Sequence, residues 1–271
     1  TSPSTETSGD EQPAQNGSSE PEAVVSVEQA QRWHERLFSD TDAARAARAY
    51  LTEDRGIDEQ ALSTAAVGLA KTPDDSRATW WIMIPVFPLD GTPCISAAKG
   101  FGFDPGKRDW ERDSDGRKIA RNGGSNALYD LTGALANTPH KSPLIVCEGE
   151  MDALCALSNG FSAVTKTSGA ASNFAPEWAD HISSLDVVQE HGAVVMYDGD
   201  DAGRKGSQKD AQKLCEAGVD VRVASLPDGQ DVNDILLDGG KTDLHAHILQ
   251  ADSFEPDTPE EDPEEESPER D

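Results

Sequence analysis

The chain contains two stretches of the same design, Leu144-Ile145-Val146-Cys147-Glu148-Gly149-Glu150-Met151-Asp152-Ala153 and Val194-Val195-Met196-Tyr197-Asp198-Gly199-Asp200-Asp201-Ala202-Gly203. Each is an apolar run typical of a strand, which ends in a carboxylate and a glycine and continues into a segment compatible with a helix. A third acidic turn, Leu226–Asp231, closes the next apolar run. Parallel strands present their carboxyl ends at one edge of a sheet, so these carboxylates are expected close together. Oxygen ligands without His or Cys favour Mg²⁺ or Mn²⁺ over zinc, and such a site suits phosphoryl transfer.

Strand-like and helix-like segments alternate regularly from residue 143 to residue 251. Strands are predicted at 144–147, 163–166, 193–197 and 221–225, with helices at 151–158, 176–185 and 202–217 and two more from Asp231 and Thr242. This alternation predicts an α/β fold with a parallel sheet and helices on both faces. The preceding residues show a helical pattern over 27–51, a short helix over 58–63, and β-like runs at 80–87 and 92–98 joined by an Asp90-Gly91 turn.

The formal net charge of −28 is concentrated at the two ends of the chain. Residues 1–23 carry five acidic and no basic residues, and residues 252–271 carry eleven acidic residues and one arginine. Both segments lack the apolar content needed to offset the entropy of ordering, so they are predicted to be disordered. They are interpreted as solvated tails; the alternative is a nucleic-acid mimic or a docking segment for a basic partner. The negative charge of residues 24–251 makes a nucleic-acid partner less expected but does not exclude one.

Cysteine spacing and hydropathy bear on the cellular compartment in which the protein is expected. The four cysteines form no CxxC pair and are predicted to be reduced thiols. No apolar run approaches the roughly twenty residues that span a bilayer, and the N-terminal residues lack the basic and apolar regions of a signal peptide. A cytoplasmic protein without a membrane partner is expected.

The three acidic motifs, in this order and spacing, resemble the Toprim domain of topoisomerases, bacterial-type primases and related nucleases. The longer strings Glu148–Ala153, Asp198–Arg204 and Leu226–Asp234 are similar to the primase branch in particular. Tyr50-Leu51, Arg55-Gly56-Ile57 and the Asp90-Gly91 hairpin are similar to the subdomain that precedes Toprim in primases. The resemblance implies a Toprim domain at 142–251 with a mainly parallel four-stranded sheet flanked by helices. A smaller α+β subdomain at 24–141 precedes it, with disordered acidic tails at 1–23 and 252–271.

The resemblance also assigns roles to the acidic residues. Glu148, Asp198 and Asp200 are implied as catalytic residues, with Glu148 as general base or metal ligand. The implied ligands of Mg²⁺ or Mn²⁺ are Glu148, Asp152, Asp198, Asp200, Asp228 and Asp231. A competing interpretation makes Asp200 or Asp201 a helix N-cap and Glu148 a solvent-facing residue at a strand end. It makes Asp152 a stabiliser of a helix N-terminus and Asp228 part of a turn.

The segment from Lys99 to Arg121 mixes basic and aromatic residues, as expected for contacts with phosphates and bases of a single strand. Lys99, Lys118 and Arg121 are the predicted template contacts, and Arg204, after the second acidic motif, is assigned to nucleic-acid or nucleotide binding. The alternative is a charged hairpin, because five acidic residues in this segment nearly cancel its positive charge. The loop at 122–129 lacks the lysine that primases carry in the corresponding motif.

The function implied is that of a primase, a nucleotidyltransferase that makes short primers on single-stranded DNA from nucleoside triphosphates by two-metal phosphoryl transfer. Phage or plasmid replication is a plausible setting, and a replicative helicase or a separate zinc-ribbon protein is an expected partner. Two alternatives stay open: a Toprim nuclease or repair-type protein, and a non-catalytic Toprim module that binds nucleic acid. The absent lysine favours the last of these, whereas the complete acidic set argues against it.

Overall fold

The computed structural model describes residues 25–256 except 73–74, 76, 93, 125, 133–141, 168 and 171. The predicted disorder of residues 1–23 and 257–271 therefore lies outside the described residues. The prediction for residues 252–256 is wrong for Asp252 and Ser253, which form a short strand. Edge pairing and the packing of Phe254 against the core supply the order that composition did not suggest.

The first part of the chain begins with helices. These are α1 (Val27–Leu37), α2 (Asp42–Ala49), a π-helical turn (Tyr50–Asp54) and α3 (Glu59–Thr64). Ser26, Thr41 and Asp58 each accept a hydrogen bond from the first turn of the helix that follows, so each helix starts at a capping side chain. The predicted helical region from 27 to 51 is thus two helices, divided at Thr41.

An antiparallel sheet follows these helices. Its strands are β1 (Gly68–Lys71), β2 (Trp80–Val86), β3 (Ala97–Asp104), β4 (Asp109–Trp110) and β5 (Ala120–Gly124), in the order β1-β2-β3-β4 with β5 also paired to β3. The predicted strand at 92–98 is wrong for Thr92 and for residues 94–96, since β3 begins at Ala97; residue 93 lies outside the described residues. The Thr92 amide donates to Asp90 and the Cys94 amide to the Thr92 carbonyl, which are contacts of a local turn. The strand instead runs on to Asp104.

The second sheet carries the acidic motifs. Its strands are β6 (Leu128–Asp130), β7 (Leu144–Cys147), β8 (Ala163–Lys166), β9 (Ala193–Met196), β10 (Val221–Val223) and β11 (Asp252–Ser253). Within the described part of the chain the order is β11-β10-β9-β7-β8-β6, with four parallel strands in the centre and an antiparallel strand at each edge. The α/β class is confirmed, whereas the four-stranded description is not. The two edge strands are too short to show a periodic pattern.

Helices cover both faces of this sheet, as predicted. They are α4 (Glu150–Ser158), α5 (Pro176–Ser183), α6 (Asp186–His191), α7 (Asp201–Glu216) and α8 (Val232–Gln250). The face covered by α4 and α8 shares one hydrophobic core with the N-terminal helices and the antiparallel sheet, while α5 to α7 pack on the other face. The two helices predicted from 231 and 242 are segments of α8, which is kinked at Gly240 (φ 68°). No described helix combines the length and hydropathy needed to cross a membrane.

Gly199 holds two of the acidic turns against each other. Its amide donates to the Gln230 carbonyl (2.9 Å) and its carbonyl accepts from the Gly229 amide (3.0 Å). A Cβ on Gly199 would lie 1.9 Å from the Pro227 carbonyl oxygen, a distance that only backbone displacement could relieve. The glycine is therefore required by the contact between the turns.

We expect Gly199→Ala to lower the free energy of unfolding by about 1–3 kcal/mol, because the added methyl group overpacks two backbones that are hydrogen-bonded together. Urea denaturation followed by circular dichroism measures this loss. Gly106→Ala is the matched control, since its Cβ meets only the movable carboxylate of Asp104 at 3.2 Å. Equal stability of the two variants would show that the turns do not depend on this contact.

Candidate active site

The register of β7 against β9 brings the first two acidic motifs together. Cys147 and Met196 are paired in parallel strands, so the residues that follow them leave the sheet side by side. The Asp198 amide donates to Glu148 Oε2 over 3.3 Å. Glu148, Asp152, Asp198 and Asp231 line one cavity of about 180 Å³. The predicted convergence of the strand ends is therefore present in the structure.

Crowded carboxylates raise one another's pKa. Burial, followed by the negative charges of Glu148, Asp231 and Asp200, raises the pKa of Asp198 to about 7. Burial also raises the pKa of Glu148, and the pKa of Asp152 is raised well above its ordinary value by burial, Asp231 and Asp198. The ionised forms of these carboxylates are therefore disfavoured, because nearby positive charge does not offset their burial and mutual repulsion.

Three of the predicted ligands, among them the cavity-lining Asp231, make contacts with backbone amides or with a surface arginine. Asp200 caps α7 by accepting from the Gly203 amide (2.7 Å), and Asp231 caps α8 by accepting from the Asp234 amide (2.7 Å). Asp228 is almost fully exposed and pairs with Arg204 at 3.1 Å. As the side chains stand, no three acidic, His or Cys residues among those described converge on a single ion position. Asp200 and Asp228 do not line the cavity with the other four carboxylates.

The predicted basic residues separate into two groups. Lys99 and Lys118 line the same cavity as the carboxylates, and Lys99 Nζ donates to the Thr167 carbonyl over 3.1 Å. Arg121 pairs in register with Gly100, one residue beyond Lys99, and so faces the opposite side of the sheet. There its guanidinium lies 4.2 Å from the centre of the Trp81 ring. Arg204 does not line the cavity and donates to the Gly199 carbonyl, Asp201 and Asp228.

Sequence reasoning missed further residues of the cavity. Arg55 lines it and follows the π-helical turn, and Glu150 is only 2% exposed with its pKa raised to about 7 by burial. Lys99 opposes that shift electrostatically. Arg55 stands in a string already similar to primases, and Glu150 directly follows the glycine of the first motif. Their positions in these motifs could have identified both residues as part of the site. Neither residue, however, falls in a pattern of metal ligands or phosphate contacts.

The aromatic residues of the basic segment divide in the same way. Phe101 and Trp110 line the cavity, with ring centres 5.3 Å apart. Phe103 is 1% exposed and packs on Tyr50 and Trp110 in the core. Only Phe101 keeps a partly exposed ring, so the aromatic surface available to a ligand is smaller than the sequence predicts.

Comparison with known proteins gives a consistent assignment. Residues 145–236 match the family model described as Toprim-like. The DNA primase of Deinococcus radiodurans is 31% identical over 112 residues, which are 41% of this chain and 19% of that protein. The chain spans about a fifth of the length of the curated relatives it matches.

Solved structures extend the likeness beyond the Toprim region. The Escherichia coli primase catalytic core superimposes with a TM-score of 0.60 at 19% identity, covering 83% of this chain and 78% of that one. The primase fragment of the bacteriophage T7 primase-helicase protein gives a TM-score of 0.50 at 27% identity, covering 72% of each chain. The chain therefore contains a Toprim-like region, residues 145–236, within a fold similar to that of the Escherichia coli primase catalytic core.

Proposed function

We propose that this chain is a primase catalytic core, a nucleotidyltransferase that synthesises short primers on single-stranded DNA from nucleoside triphosphates. The observation that carries the proposal is one cavity lined both by carboxylates, Glu148, Asp152, Asp198 and Asp231, and by the basic side chains of Arg55, Lys99 and Lys118. An incoming triphosphate and a template phosphate are anionic, so they need both bound cations and basic side chains. The match to DNA primases in sequence supports the same assignment.

The donor set fits a divalent cation, Mg²⁺ or Mn²⁺. Its members are carboxylate oxygens, and burial, followed by repulsion from neighbouring carboxylates, raises the pKa of Asp198; a bound cation would offset both effects. Glu148, Asp152, Asp198 and Asp231 would hold the metal, with Asp200 and Asp228 joining after release from their caps and ion pair. Bound metal supplies charge neutralisation at the attacking and leaving oxygens. Glu148, fixed by the Asp198 amide, is the residue placed to accept a proton or to ligate.

Partners follow from the same reasoning. Single-stranded DNA is the proposed template and Lys99 and Lys118 its phosphate contacts, whereas Arg121 is held on Trp81 across the sheet. A replicative helicase or a zinc-ribbon protein remains a proposed partner. A nuclease using the same carboxylates is the alternative that an activity assay must separate.

The first test is the pH dependence of stability without metal. The pKa of Asp198 is raised in the folded state, so its contribution is present below pH 4 and is lost as pH rises through about 7. We expect the wild-type melting temperature, measured in EDTA, to fall more steeply between pH 5 and pH 8 than that of Asp198→Asn. Mn²⁺ at pH 7.5 should raise the wild-type melting temperature and raise that of Asp198→Asn far less. Parallel pH profiles and equal metal shifts would contradict the assignment.

Catalysis is tested with Glu148→Gln. We expect labelled nucleotide incorporation on single-stranded templates to fall by about a hundredfold or more, because general acid–base catalysis contributes that much. Template affinity, measured by fluorescence anisotropy, should stay near that of the wild type. Cleavage of DNA by the wild type, lost in Glu148→Gln and without incorporation, would establish the nuclease instead.

Template contacts are tested by comparing the two faces of the antiparallel sheet. Lys99→Ala/Lys118→Ala should weaken binding of single-stranded DNA and reduce the slope of log affinity against log salt by about one unit, since fewer counterions are released. Arg121→Ala is the matched control and should leave the slope unchanged. An equal change in slope for Arg121→Ala would show that the face of the sheet does not decide which basic side chains bind DNA phosphates.

A further inference from the structure

Lys166 and Asp210 form an ion pair that is entirely enclosed. Lys166 Nζ lies 2.7 Å from Asp210 Oδ2, and neither side chain has exposed surface. The Tyr197 hydroxyl also donates to Asp210 Oδ2. Burying two charges costs several kcal/mol before their attraction is counted, so a pair of this kind is weak evidence for a gain in stability. None of these three residues lines the catalytic cavity.

The Lys166 ammonium also holds the chain that follows β8. It donates to the Ser172 carbonyl over 2.8 Å and to the Ala170 carbonyl over 3.5 Å. Ala170 in turn lies directly against Gly206 of α7, where a Cβ on the glycine would come within 2.6 Å. One side chain thus fastens the β8–α5 connection to the helix that begins at the second acidic motif.

This connection touches the catalytic cavity at two points. The Thr167 carbonyl accepts from Lys99 Nζ over 3.1 Å. Burial raises the pKa of Glu148, and the nearby backbone of Ala170 opposes that rise, as does the Asp198 amide, which donates to Glu148 Oε2. Movement of Thr167 and Ala170 would therefore shift backbone away from the Glu148 carboxylate and remove the carbonyl that accepts from Lys99.

We propose that the Lys166–Asp210 pair is a positioning device for the catalytic cavity. It holds the Ala170 and Ser172 carbonyls, so that the backbone of Ala170 stays near Glu148 and the Thr167 carbonyl stays on Lys99. Tyr197, which follows β9 and directly precedes Asp198, takes part in the same arrangement because its hydroxyl donates to the Asp210 carboxylate that pairs with Lys166. The inference rests on the proposed function, and assigns to it two residues that act without touching substrate.

Two double variants separate positioning from stability. Lys166→Met/Asp210→Leu removes both charges and leaves no unpaired ion in the core. Lys166→Asp/Asp210→Lys keeps an ion pair but moves the ammonium to α7, so the Ala170 and Ser172 carbonyls lose their donor. The matched control is Lys213→Met/Glu216→Leu, which removes a half-exposed pair (2.6 Å) from the same helix.

Mn²⁺ affinity, measured by electron paramagnetic resonance, is the primary readout, with melting temperature, template affinity and nucleotide incorporation beside it. We expect either double variant to bind Mn²⁺ about tenfold more weakly than the control, as for other residues that orient metal ligands. Incorporation should fall by a similar factor, and template affinity should not change. A folded double variant with the control's Mn²⁺ affinity and incorporation would show that the pair is structural only.

The Mn²⁺ readout keeps the two proposals distinguishable. A wild type that binds Mn²⁺ but incorporates no nucleotide overturns the proposed function, while the difference in Mn²⁺ affinity between variants still decides the positioning role. A wild type that binds no Mn²⁺ overturns both. If the Met/Leu variant does not fold, the reciprocal variant alone decides, because it retains a pair of opposite charges in the core.

Discussion

The parallel pairing of β7 with β9 is the constraint on which the rest of the site depends. It places Glu148 beside Asp198 and so concentrates negative charge where burial already disfavours ionisation. The apolar strands that force this contact are fully buried, which explains how folding tolerates it. The arrangement is therefore strained electrostatically until positive charge arrives. The basic side chains that line the same cavity and a divalent cation are two ways of supplying that charge.

Most of the parallel sheet was predictable, because β7 and β9 are continuous apolar runs, β8 and β10 are short runs with branched side chains, and helix-compatible segments alternate with all four. The carboxylate cluster was predictable for the same reason, since parallel strand ends share an edge. The antiparallel edge strands were not, because two or three residues carry no periodicity. Arg121 shows a different limit: one residue of register decides which face a side chain occupies, and sequence does not give the register of a Gly-rich strand.

Contacts between the N-terminal helices and the second sheet with its helices could not be predicted from the sequence either. Asn233 joins them, donating from its amide to Asp152 (3.2 Å) and from its side chain to the Arg55 carbonyl (2.6 Å). It therefore links the N-terminal helices, α4 and the third acidic motif at one buried point. Such a contact spans a large distance in sequence, so the strings similar to primases that contain Arg55 and Asn233 do not reveal that the two residues meet.

Net charge is a poor guide to the partner of this chain because the charge is unevenly placed. The acidic tails contribute much of the formal −28, and several of the remaining carboxylates are gathered in one cavity. The same cavity is lined by Arg55, Lys99 and Lys118. A protein with a large negative net charge can thus carry basic side chains at one site, and a divalent cation bound among the carboxylates would add positive charge there.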